Sequence, residues 1–554
     1  KELQSKMASL KFLDPAAGSG NFLTETYISL RKLENEILKE LYGQQIVMGI
    51  SHNPIKVSIS QFYGIEINDF AVSVARTALW IAESQMMKET EDIVNMNLDF
   101  LPLKTYPNIV EGNALRLDWE DVVPKDELDY IMGNPPFVGT VFQSKNQKEE
   151  TRKIFGTKAK LKNLDYVANW FIKSLELLNQ NANIRVAFVS TNSISQGEQV
   201  ETLWNAMFNA DIKIDFAHET FRWDSEATAK AAVHCIIIGY SKKSYYTKEK
   251  YIFSSDGAYK KVNNINPYLV EAENIIVKSS RNSLWNLPKM TRGNQPTEGG
   301  NLLLSRTEKE EMIRKNPETS KWIKKFMGAR EFIQRQERYC LWFADADMRE
   351  VRKYPDLMDR INKVREMRLL SSDVGTRKKA EIPWLFRETN NPKEALVIPR
   401  VSSENRKYVP IGYVDNSIIL SDAVQMVPEG DLSLFSLLTS NVHMAWMRTV
   451  AGRLKSDYRY SIFLVYNTFP VEELSKEQKN ILKLHGLKIL EARDLYPDWS
   501  LADLYDELTM PSELRRAHQE NDKAVMEIYG FDWRTMTEAK CVSELMKRYN
   551  DKLL

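Results

Sequence analysis

The stretch LKFLDPAAGSGNFL at residues 10–23 combines an apolar run, a glycine-containing turn and the start of a helical pattern. Leu10–Asp14 is short and apolar, which predicts a buried strand, and the residues after it form a tight turn. A helix is predicted next, over Asn21–Lys39. Gly18 and Gly20 allow the backbone to approach a ligand closely, and the helix N-terminus offers free N–H groups. The unit therefore predicts a ligand at the carboxyl end of a strand.

The second predicted strand, Phe62–Glu66, indicates which ligand. It ends in a carboxylate, and this is where a doubly wound sheet binds ribose hydroxyls. Position 23 is Leu, so the Gly-x-Gly-x-x-Gly pattern of dinucleotide folds is incomplete, and S-adenosylmethionine fits better than a nicotinamide nucleotide. We expect Glu66 to accept from the ribose hydroxyls and Ile67 to pack on the adenine. Asp14 is expected to fix the turn and the methionine end; the alternative is a purely structural Asp-Pro turn.

A rigid loop is predicted where Asn134-Pro135-Pro136-Phe137 follows the apolar run Leu128–Met132. The two prolines fix φ and remove two backbone donors. The Asn134 side-chain oxygen and the Pro135 carbonyl can then accept both protons of one planar amine, while Phe137 offers a face to a flat ring. Such a loop suits methylation of an exocyclic amine on an aromatic base. The alternative is an ordinary Pro-Pro turn.

Together these motifs resemble the adenine-N6 DNA methyltransferases of the gamma motif order. Four later motifs resemble the MmeI-like, type IIL restriction-modification enzymes: FRWDSEA (221–227), AAVH (231–234), IPRVSSE (398–404) and GRLKSDYRY (452–460). The likeness extends over essentially the whole chain. Members of that family carry a nuclease and a helical spacer before the methyltransferase, whereas this chain begins almost at the cofactor strand. We therefore expect a nuclease region to be missing from it.

The resemblance implies methyl transfer from S-adenosylmethionine to the N6 amine of an adenine that is flipped out of a specific double-stranded DNA sequence, in restriction-modification or phage defence. Asn113 resembles the residue that contacts the cofactor's adenine amine, and is otherwise a turn residue. Phe221 resembles the aromatic that closes the second face of the target base, with Trp223 as its substitute; otherwise both are core residues. The predicted cofactor-binding residues are Asp14, Ala16, Gly18, Gly20, Asn21, Glu66, Ile67, Asn113 and Ala114.

The order of elements predicts the architecture. Between about residues 10 and 240, strands alternate with helices, which indicates a doubly wound, mostly parallel, seven-stranded Rossmann-like α/β sheet. The predicted strands are Lys11–Asp14, Phe62–Glu66, Asn108–Glu111, Leu128–Met132, Arg185–Ser190, Lys213–Phe216 and Val233–Tyr240. The predicted helices are Asn21–Lys39, Asp69–Met87, Leu164–Leu178 and Gly197–Phe208.

Pattern and composition divide the rest of the chain. We predict a methyltransferase domain at residues 1–240, a linker rich in Ser, Lys, Asn and Tyr at 241–285, an α+β target-recognition domain at 286–470 and a C-terminal helical domain at 471–554. The last of these should contain helices over Ser475–Ala492, Ser500–Leu508, Ser512–Tyr529 and Thr537–Lys552.

Charge distribution points to DNA more than net charge does. The net charge is +1, but residues 361–410 contain eleven Lys or Arg against six Asp or Glu. Such a cluster can neutralise phosphates, or it can be a solvated helix face. It includes Lys363, Arg365, Arg368, Arg377, Lys378, Lys379, Arg400, Arg406 and Lys407. Within it, Arg400, Arg406 and Lys407 are expected to hold phosphates.

Specificity is expected in the later motif, near Lys455, Ser456, Asp457 and Arg459. Arg and Lys pair with guanine in the major groove, and Asp can accept from the cytosine amine. The alternative is a structural Arg–Asp network within the domain.

Several classes are disfavoured by composition. Three distant cysteines and six histidines without ligand spacing predict neither disulfides nor a metal site. With 43% hydrophobic and 27% charged residues and no long apolar run, a cytoplasmic monomer is expected. Two other functions stay open: methylation of RNA adenine or protein glutamine, and a non-catalytic DNA-specificity module. The long C-terminal region argues against the former, and the intact motifs argue against the latter.

Overall fold

The computed structural model describes residues 1–42, 54–94, 108–156, 161, 163–223 and 233–554. Contacts divide the chain into two compact units, Lys1–Ile276 and Val277–Leu554. Residues 224–232 of the two motifs around Phe221 and His234 lie outside the described residues.

The first unit is built on a single sheet. Its described strands are β1 Phe12–Asp14, β2 Phe62–Glu66, β3 Ile109–Glu111, β4 Tyr130–Gly133, β5 Arg185–Thr191, β6 Ile212–Trp223, β7 Val233–Lys242, β8 Lys250–Phe253 and β9 Tyr259–Val262. They lie in the order β3-β2-β1-β4-β5-β7-β6-β8-β9. The first five strands are parallel, and β7 runs antiparallel to both β5 and β6. The strand order reverses between β1 and β4, which is where such sheets bind ligands.

The predicted Rossmann-like sheet is confirmed, but nine strands pair among the described residues where seven were predicted. The two extra strands, β8 and β9, fall within residues 241–285, which the sequence assigned to a linker. Both carry lysines, and those of the edge strand β9, such as Lys260, protect it from further pairing. Their buried apolar residues are Ile252 and Val262. This polar composition hides an edge strand among loop-like residues.

Helices pack against the sheet of the first unit. Leu23 and Tyr27 on one helix and Leu79 on the next bury against Phe62 and Ile109. Two helices, Glu2–Ser9 and Lys145–Phe155, were not predicted; the second is strongly polar and begins at a Ser144 capping box. The described helices are α1 Glu2–Ser9, α2 Asn21–Tyr42, α3 Asp69–Val94, α4 Lys145–Phe155, α5 Ala168–Leu178 and α6 Gln199–Asn209.

The second unit begins with mixed α+β structure, as predicted. Its sheets have the orders β10-β18-β14-β16, β11-β13-β12-β17 and β15-β20-β19. The strands are β10 Thr291–Arg292, β11 Leu303–Leu304, β12 Ile323–Met327, β13 Tyr339–Leu341, β14 Glu394–Pro399, β15 Val401–Ser402, β16 Gly412–Asp415, β17 Ile418–Leu420, β18 Val424–Pro428, β19 Gly452–Leu454 and β20 Asp457–Arg459. The helices among them are α7 Arg306–Lys315, α8 Ala329–Gln334, α9 Met348–Val351, α10 Pro355–Leu369, α11 Val374–Lys378, α12 Leu432–Leu438 and α13 Asn441–Val450.

The unit ends in the predicted helices: α14 Lys476–Asp494, α15 Leu501–Leu504, α16 Ser512–Ile528 and α17 Glu538–Leu553. A Cβ at Gly486 of α14 would lie 2.7 Å from the Leu432 carbonyl oxygen. The glycine therefore permits α14 to approach α12 closely. Within the described ranges, no helix combines the length and apolarity needed to cross a bilayer.

Candidate functional site

Asp14 lies beneath the turn that follows β1. It is 1% exposed, and its Oδ1 accepts from the Ala16 N–H at 2.9 Å. In the described part of the chain, Oδ2 accepts no hydrogen bond although it is buried. Burial, aided by the charge of Glu66, raises the pKa of Asp14 to about 7. A buried polar atom left without a partner costs about 1–3 kcal/mol, so this oxygen is suited to a donor or a cation supplied by a ligand.

Gly18 and Gly20 have different roles in the turn. Both have left-handed backbones, with φ of +54° and +82°. A Cβ at Gly20 would lie 2.9 Å from the Ala75 Cβ, whereas one at Gly18 would meet nothing within 4 Å. Gly20 therefore seats the turn on α3, and Gly18 keeps space open beside it. Asn21, the first residue of α2, is exposed and accepts from the Ser19 hydroxyl at 3.2 Å.

Glu66, at the end of β2, braces the same turn. Its Oε2 accepts from the Gly18 N–H at 2.8 Å and its Oε1 from the Asn68 N–H at 3.0 Å. An ionised carboxylate has about four acceptor positions, so roughly two remain for hydroxyl donors. Two large apolar side chains follow, Ile67 at 67% and Phe70 at 74% exposure. Phe70 was not predicted, because an apolar residue in the first turn of a helix normally packs inward.

Asn113 is engaged within the protein. Its Nδ2 donates to Glu150 Oε1 at 2.9 Å, and its Oδ1 accepts from the Leu115 N–H at 2.9 Å. Glu150 is 7% exposed and also accepts from Arg116 and from the Tyr166 hydroxyl. These are the bonds of a turn residue, and they leave one Oδ1 lone pair for an adenine amine. The neighbouring Ala114 is buried, and its carbonyl accepts from a tryptophan indole.

The loop after β4 also carries a buried oxygen without a partner. Asn134 Oδ1 is buried and accepts no hydrogen bond from any described residue. A Cβ at Gly133, just before it, would lie 2.3 Å from Asp14 Oδ1. The loop can therefore approach the turn after β1 only because residue 133 is glycine. Pro135 is buried, Pro136 is exposed and Phe137 is half-buried.

Residues before and within α5 hold this loop in place. Asp165 Oδ1 accepts from the Val138 N–H at 3.1 Å, and the Tyr166 N–H donates to the Val138 carbonyl at 3.1 Å. Burial raises the pKa of Asp165. The Trp170 indole donates to the Pro15 carbonyl at 3.0 Å, so this segment contacts both the loop and the turn after β1. These residues were not predicted, because an Asp just before a helix is also an ordinary cap.

Phe221 and Trp223 lie near the end of β6 with ring centroids 6.1 Å apart. Phe221 meets the His218 ring edge-on at 4.9 Å, and Trp223 is 40% exposed. Neither aromatic is a buried core residue. Both rings are therefore accessible from outside the sheet.

Metal chemistry receives no geometric support in the described residues, where no three His, Cys, Asp or Glu side chains are grouped to hold an ion. The thiols of Cys235, Cys340 and Cys541 are free and buried.

In the second unit, the predicted base-reading residues form a hairpin of β19 and β20. Leu454 pairs with Asp457 and Gly452 with Arg459, so these four residues share one face of the hairpin. Arg459 lies opposite a glycine and is exposed. The turn contains Lys455, whose φ is +58°, and Ser456.

The opposite face of the hairpin holds a structural network. Arg453 donates to the Ser456 carbonyl at 2.7 Å, contacts Glu404 at 3.2 Å and lies over the Tyr458 ring at 4.0 Å. This network pairs Arg453 with Glu404 and not with an Asp, and Asp457 and Arg459 occupy the other face of the hairpin.

The predicted phosphate-binding residues differ in their exposure and in their bonds within the protein. Arg400 donates to the Asp422 carbonyl at 2.7 Å, and its side chain is 21% exposed. Its pKa is lowered by burial and then by the charges of Arg292 and Arg459, whereas the carboxylate of Asp422, 3.8 Å from the guanidinium, acts in the opposite direction. Burial likewise lowers the pKa of Arg406. Lys407 is exposed.

One residue of the predicted basic cluster cannot meet a phosphate. Arg368 is completely buried, and its guanidinium donates to the carbonyls of Thr297, Lys379, Ile382, Pro296 and Leu385. It joins α10 to two neighbouring segments of the fold. Counting charges along the sequence could not distinguish this internal role from a surface one.

Comparisons with known proteins agree with this geometry. Residues 1–254 match the family described as MmeI, DNA-methyltransferase domain. Residues 271–473 match the MmeI target recognition domain, and residues 474–553 match the MmeI C-terminal domain.

Two relatives match nearly the whole chain. DNA methyltransferase A of Bacillus subtilis (strain 168) is 43% identical over 534 residues, which cover 96% of this chain and 60% of that protein. A solved structure of the type IIL restriction-modification enzyme MmeI in complex with DNA is 43% identical, with a TM-score of 0.90, covering all of this chain and 74% of the other. The chain therefore belongs to the MmeI family of type IIL restriction-modification enzymes.

Proposed function

We propose that this chain transfers a methyl group from S-adenosylmethionine to the N6 amine of an adenine flipped out of a specific double-stranded DNA sequence. The observation that carries the proposal is the buried Asn134 Oδ1, an acceptor without a partner at the end of β4. A planar exocyclic amine is the donor that suits it. The family relationship favours DNA adenine and a restriction-modification setting.

The residues around the turn after β1 fit S-adenosylmethionine, which supplies an activated methyl group when bound. Asp14 Oδ2 is an open acceptor for its cationic methionine end. Glu66 retains acceptor positions for the ribose hydroxyls, and the space beside Gly18 admits a ligand. Exposed Ile67 and Phe70 offer apolar surface to its adenine.

Asn134 and Pro135 would act on the target amine directly. Its lone pair is delocalised into the ring, which makes the amine a poor nucleophile. By accepting its two protons, Asn134 Oδ1 and the Pro135 carbonyl draw the nitrogen towards tetrahedral geometry, while Phe137 stacks on the ring. Positioning and electrostatics then supply most of the rate. Phe221 and Trp223 are accessible aromatics that can cover the second face of the base.

Sequence recognition would be divided within the second unit. The exposed face of the hairpin presents Asp457 and Arg459 for contacts with base edges, beside the Lys455–Ser456 turn. Arg292 and Arg400, with Arg406 and Lys407 nearby in sequence, would contact phosphates. Phosphate contacts position a protein on DNA and base contacts specify the sequence.

The proposal is tested by expressing the chain in a bacterial host that lacks DNA adenine methylation and sequencing the modified plasmid. We expect N6-methyladenine at one recurring sequence, and a much smaller modified fraction at that sequence with Asn134→Ala. Methylation of cytosine N4 would contradict the choice of base. The same cells can be fed methyl-labelled methionine. An unmodified plasmid, together with label in RNA adenine or in glutamine side chains of protein, would contradict the choice of substrate.

A further inference from the structure

A short turn directly after the loop at Asn134 presents two large apolar side chains to solvent. Val141 is 87% exposed and Phe142 is 85% exposed. Exposed apolar residues in adjacent positions forgo the stabilisation that burial would give each of them. Their exposure beside the candidate base loop suggests an apolar surface that meets a partner.

This turn is held firmly in place. The Phe142 N–H donates to the Gly139 carbonyl at 2.8 Å. On one side of the apolar pair, the Thr140 hydroxyl donates to the Leu164 carbonyl at 2.8 Å. On the other, Gln143 is 6% exposed and donates to the same carbonyl at 3.0 Å and to that of Val138 at 2.9 Å. The apolar pair therefore projects from a fixed base, and Val138 links that base to the loop at Asn134.

A row of cations follows immediately on α4. Lys145, Lys148 and Arg152 are exposed, and their spacing of three and four residues places them on one helix face. In the part of the chain that the structure describes, none of the three forms an ion pair. An apolar pair flanked by free cations is complementary to a base stack flanked by phosphates.

We propose that Val141 and Phe142 form a wedge that enters the DNA duplex at the target base pair and contacts the thymine left without its partner. Lys145, Lys148 and Arg152 contact the adjacent backbone. The proposal rests on the proposed function, because base flipping creates the gap. Flipping costs stacking energy, and apolar side chains inserted between base steps fill the space and hold the duplex open.

The first test compares the wild-type protein and Phe142→Ala on two duplexes that contain the site mapped by plasmid sequencing. One is fully paired, and the other carries an abasic position opposite the target adenine. Stacking on an aromatic contributes roughly 1–3 kcal/mol per base, which corresponds to roughly 5- to 150-fold in rate. Phe142→Ala should slow methyl transfer by such a factor on the paired duplex and much less on the abasic one.

Tyr246→Ala is the matched control, since Tyr246 is an aromatic of 82% exposure in the same unit; it should leave both rates unchanged. Equal effects of Phe142→Ala on the two duplexes, whether large or absent, would overturn the wedge. A wild-type protein that methylates neither duplex would instead contradict the proposed function.

The second test needs no turnover. Permanganate oxidises thymines whose ring faces are uncovered, so it reports on the partner thymine in the bound complex. We expect protection in the wild-type complex and strong reactivity with Phe142→Ala. Lys148→Gln should reduce the slope of the logarithm of the DNA-binding constant against the logarithm of the salt concentration by about one. Unchanged thymine reactivity would show that the pair does not contact DNA. The same would follow if the only effect of Phe142→Ala were to weaken association between two copies of the protein.

Discussion

Two sets of buried polar groups in this protein differ in their hydrogen bonding: one set lacks partners in the described ranges and the other is fully bonded. In the first unit, Asp14 Oδ2 and Asn134 Oδ1 are buried and receive no hydrogen bond from the described residues. In the second unit, the guanidinium of Arg368 is also buried, but it donates to five backbone carbonyls. Burying a polar group is costly unless it is bonded. Because Asp14 and Asn134 also lie where β1 and β4 end, at the ligand-binding point of the sheet, they are suited to a ligand, whereas Arg368 stabilises the fold.

The difference shows which sequence signals carry functional information. A motif at the end of a parallel strand places its polar residues where ligands bind. A count of basic residues does not tell which side chains are exposed and which are buried. Arg365 and Arg368 lie on the same helix, yet Arg365 is exposed and Arg368 has no exposed surface.

The largest effect is expected from Arg368→Ala. Hydrogen bonds to a charged group contribute about 1.5–3 kcal/mol each, and this change removes the donor from five carbonyls. The variant should lose at least about 3 kcal/mol in the free energy of unfolding of its unit, measured by urea unfolding with tryptophan fluorescence. Arg365→Ala on the exposed side should change it by less than about 0.5 kcal/mol. Similar stabilities of the two variants would mean that the buried hydrogen bonds of Arg368 do not stabilise the fold.

Asn134→Ala should lower the rate of methyl transfer by about 100- to 1,000-fold, the range for losing one preorganised polar group at a reacting centre. S-adenosylmethionine affinity should change little, because Asn134 faces the amine. Calorimetric titration and a transfer assay on the same preparation separate the two quantities. Retained transfer would remove Asn134 from the reaction.

Glu66→Gln should have the reverse signature. Loss of a charged partner for the ribose hydroxyls should weaken S-adenosylmethionine binding by about 1–3 kcal/mol. The same calorimetric titration checks this, with Glu25→Gln on the exposed side of α2 as the control. Unchanged affinity in Glu66→Gln would mean that the carboxylate only braces the Gly18 turn.

Asp457→Asn should change sequence preference more than overall rate. The variant loses an acceptor on the exposed face of the hairpin, and a good base contact provides about 1–3 kcal/mol of discrimination. Sequencing of modified plasmid should show one relaxed or altered position in the methylated site. An identical site at a lower overall rate would place base reading elsewhere in the unit.

A smaller, graded effect is expected from pH. Because Asp14 holds a proton in the folded protein up to about pH 7, its contribution to stability falls as the pH rises from about 4 to about 7. The cationic end of S-adenosylmethionine should bind the ionised form of Asp14 and not the protonated form. The affinity for S-adenosylmethionine should therefore fall by up to about tenfold per pH unit below pH 7. Asp14→Asn should flatten this profile in titrations from pH 5.5 to 8. A flat wild-type profile would mean that Asp14 meets no cation.

The sequence predicts most of the first unit because its signals are local. Leu10–Leu23 and Leu128–Phe137 each contain a buried strand, its end and the loop that follows. Strands β8 and β9 were missed because short polar strands at the end of a sheet depend on a neighbour for pairing, which the sequence does not reveal. Glu150 and Asp165 were missed for a similar reason: their partners lie 37 and 27 residues away in Asn113 and Val138.

In the proposed reaction, the open acceptor at Asn134 receives the amine of a DNA adenine. The most direct measurement is incubation of the purified protein with methyl-deuterated S-adenosylmethionine and duplex DNA, followed by digestion and mass spectrometry of the nucleosides. We expect deuterated N6-methyl-2′-deoxyadenosine with the wild-type protein and, at equal reaction times, about 100- to 1,000-fold less with Asn134→Ala. Label in another nucleoside, or equal label with both proteins, would contradict this reaction.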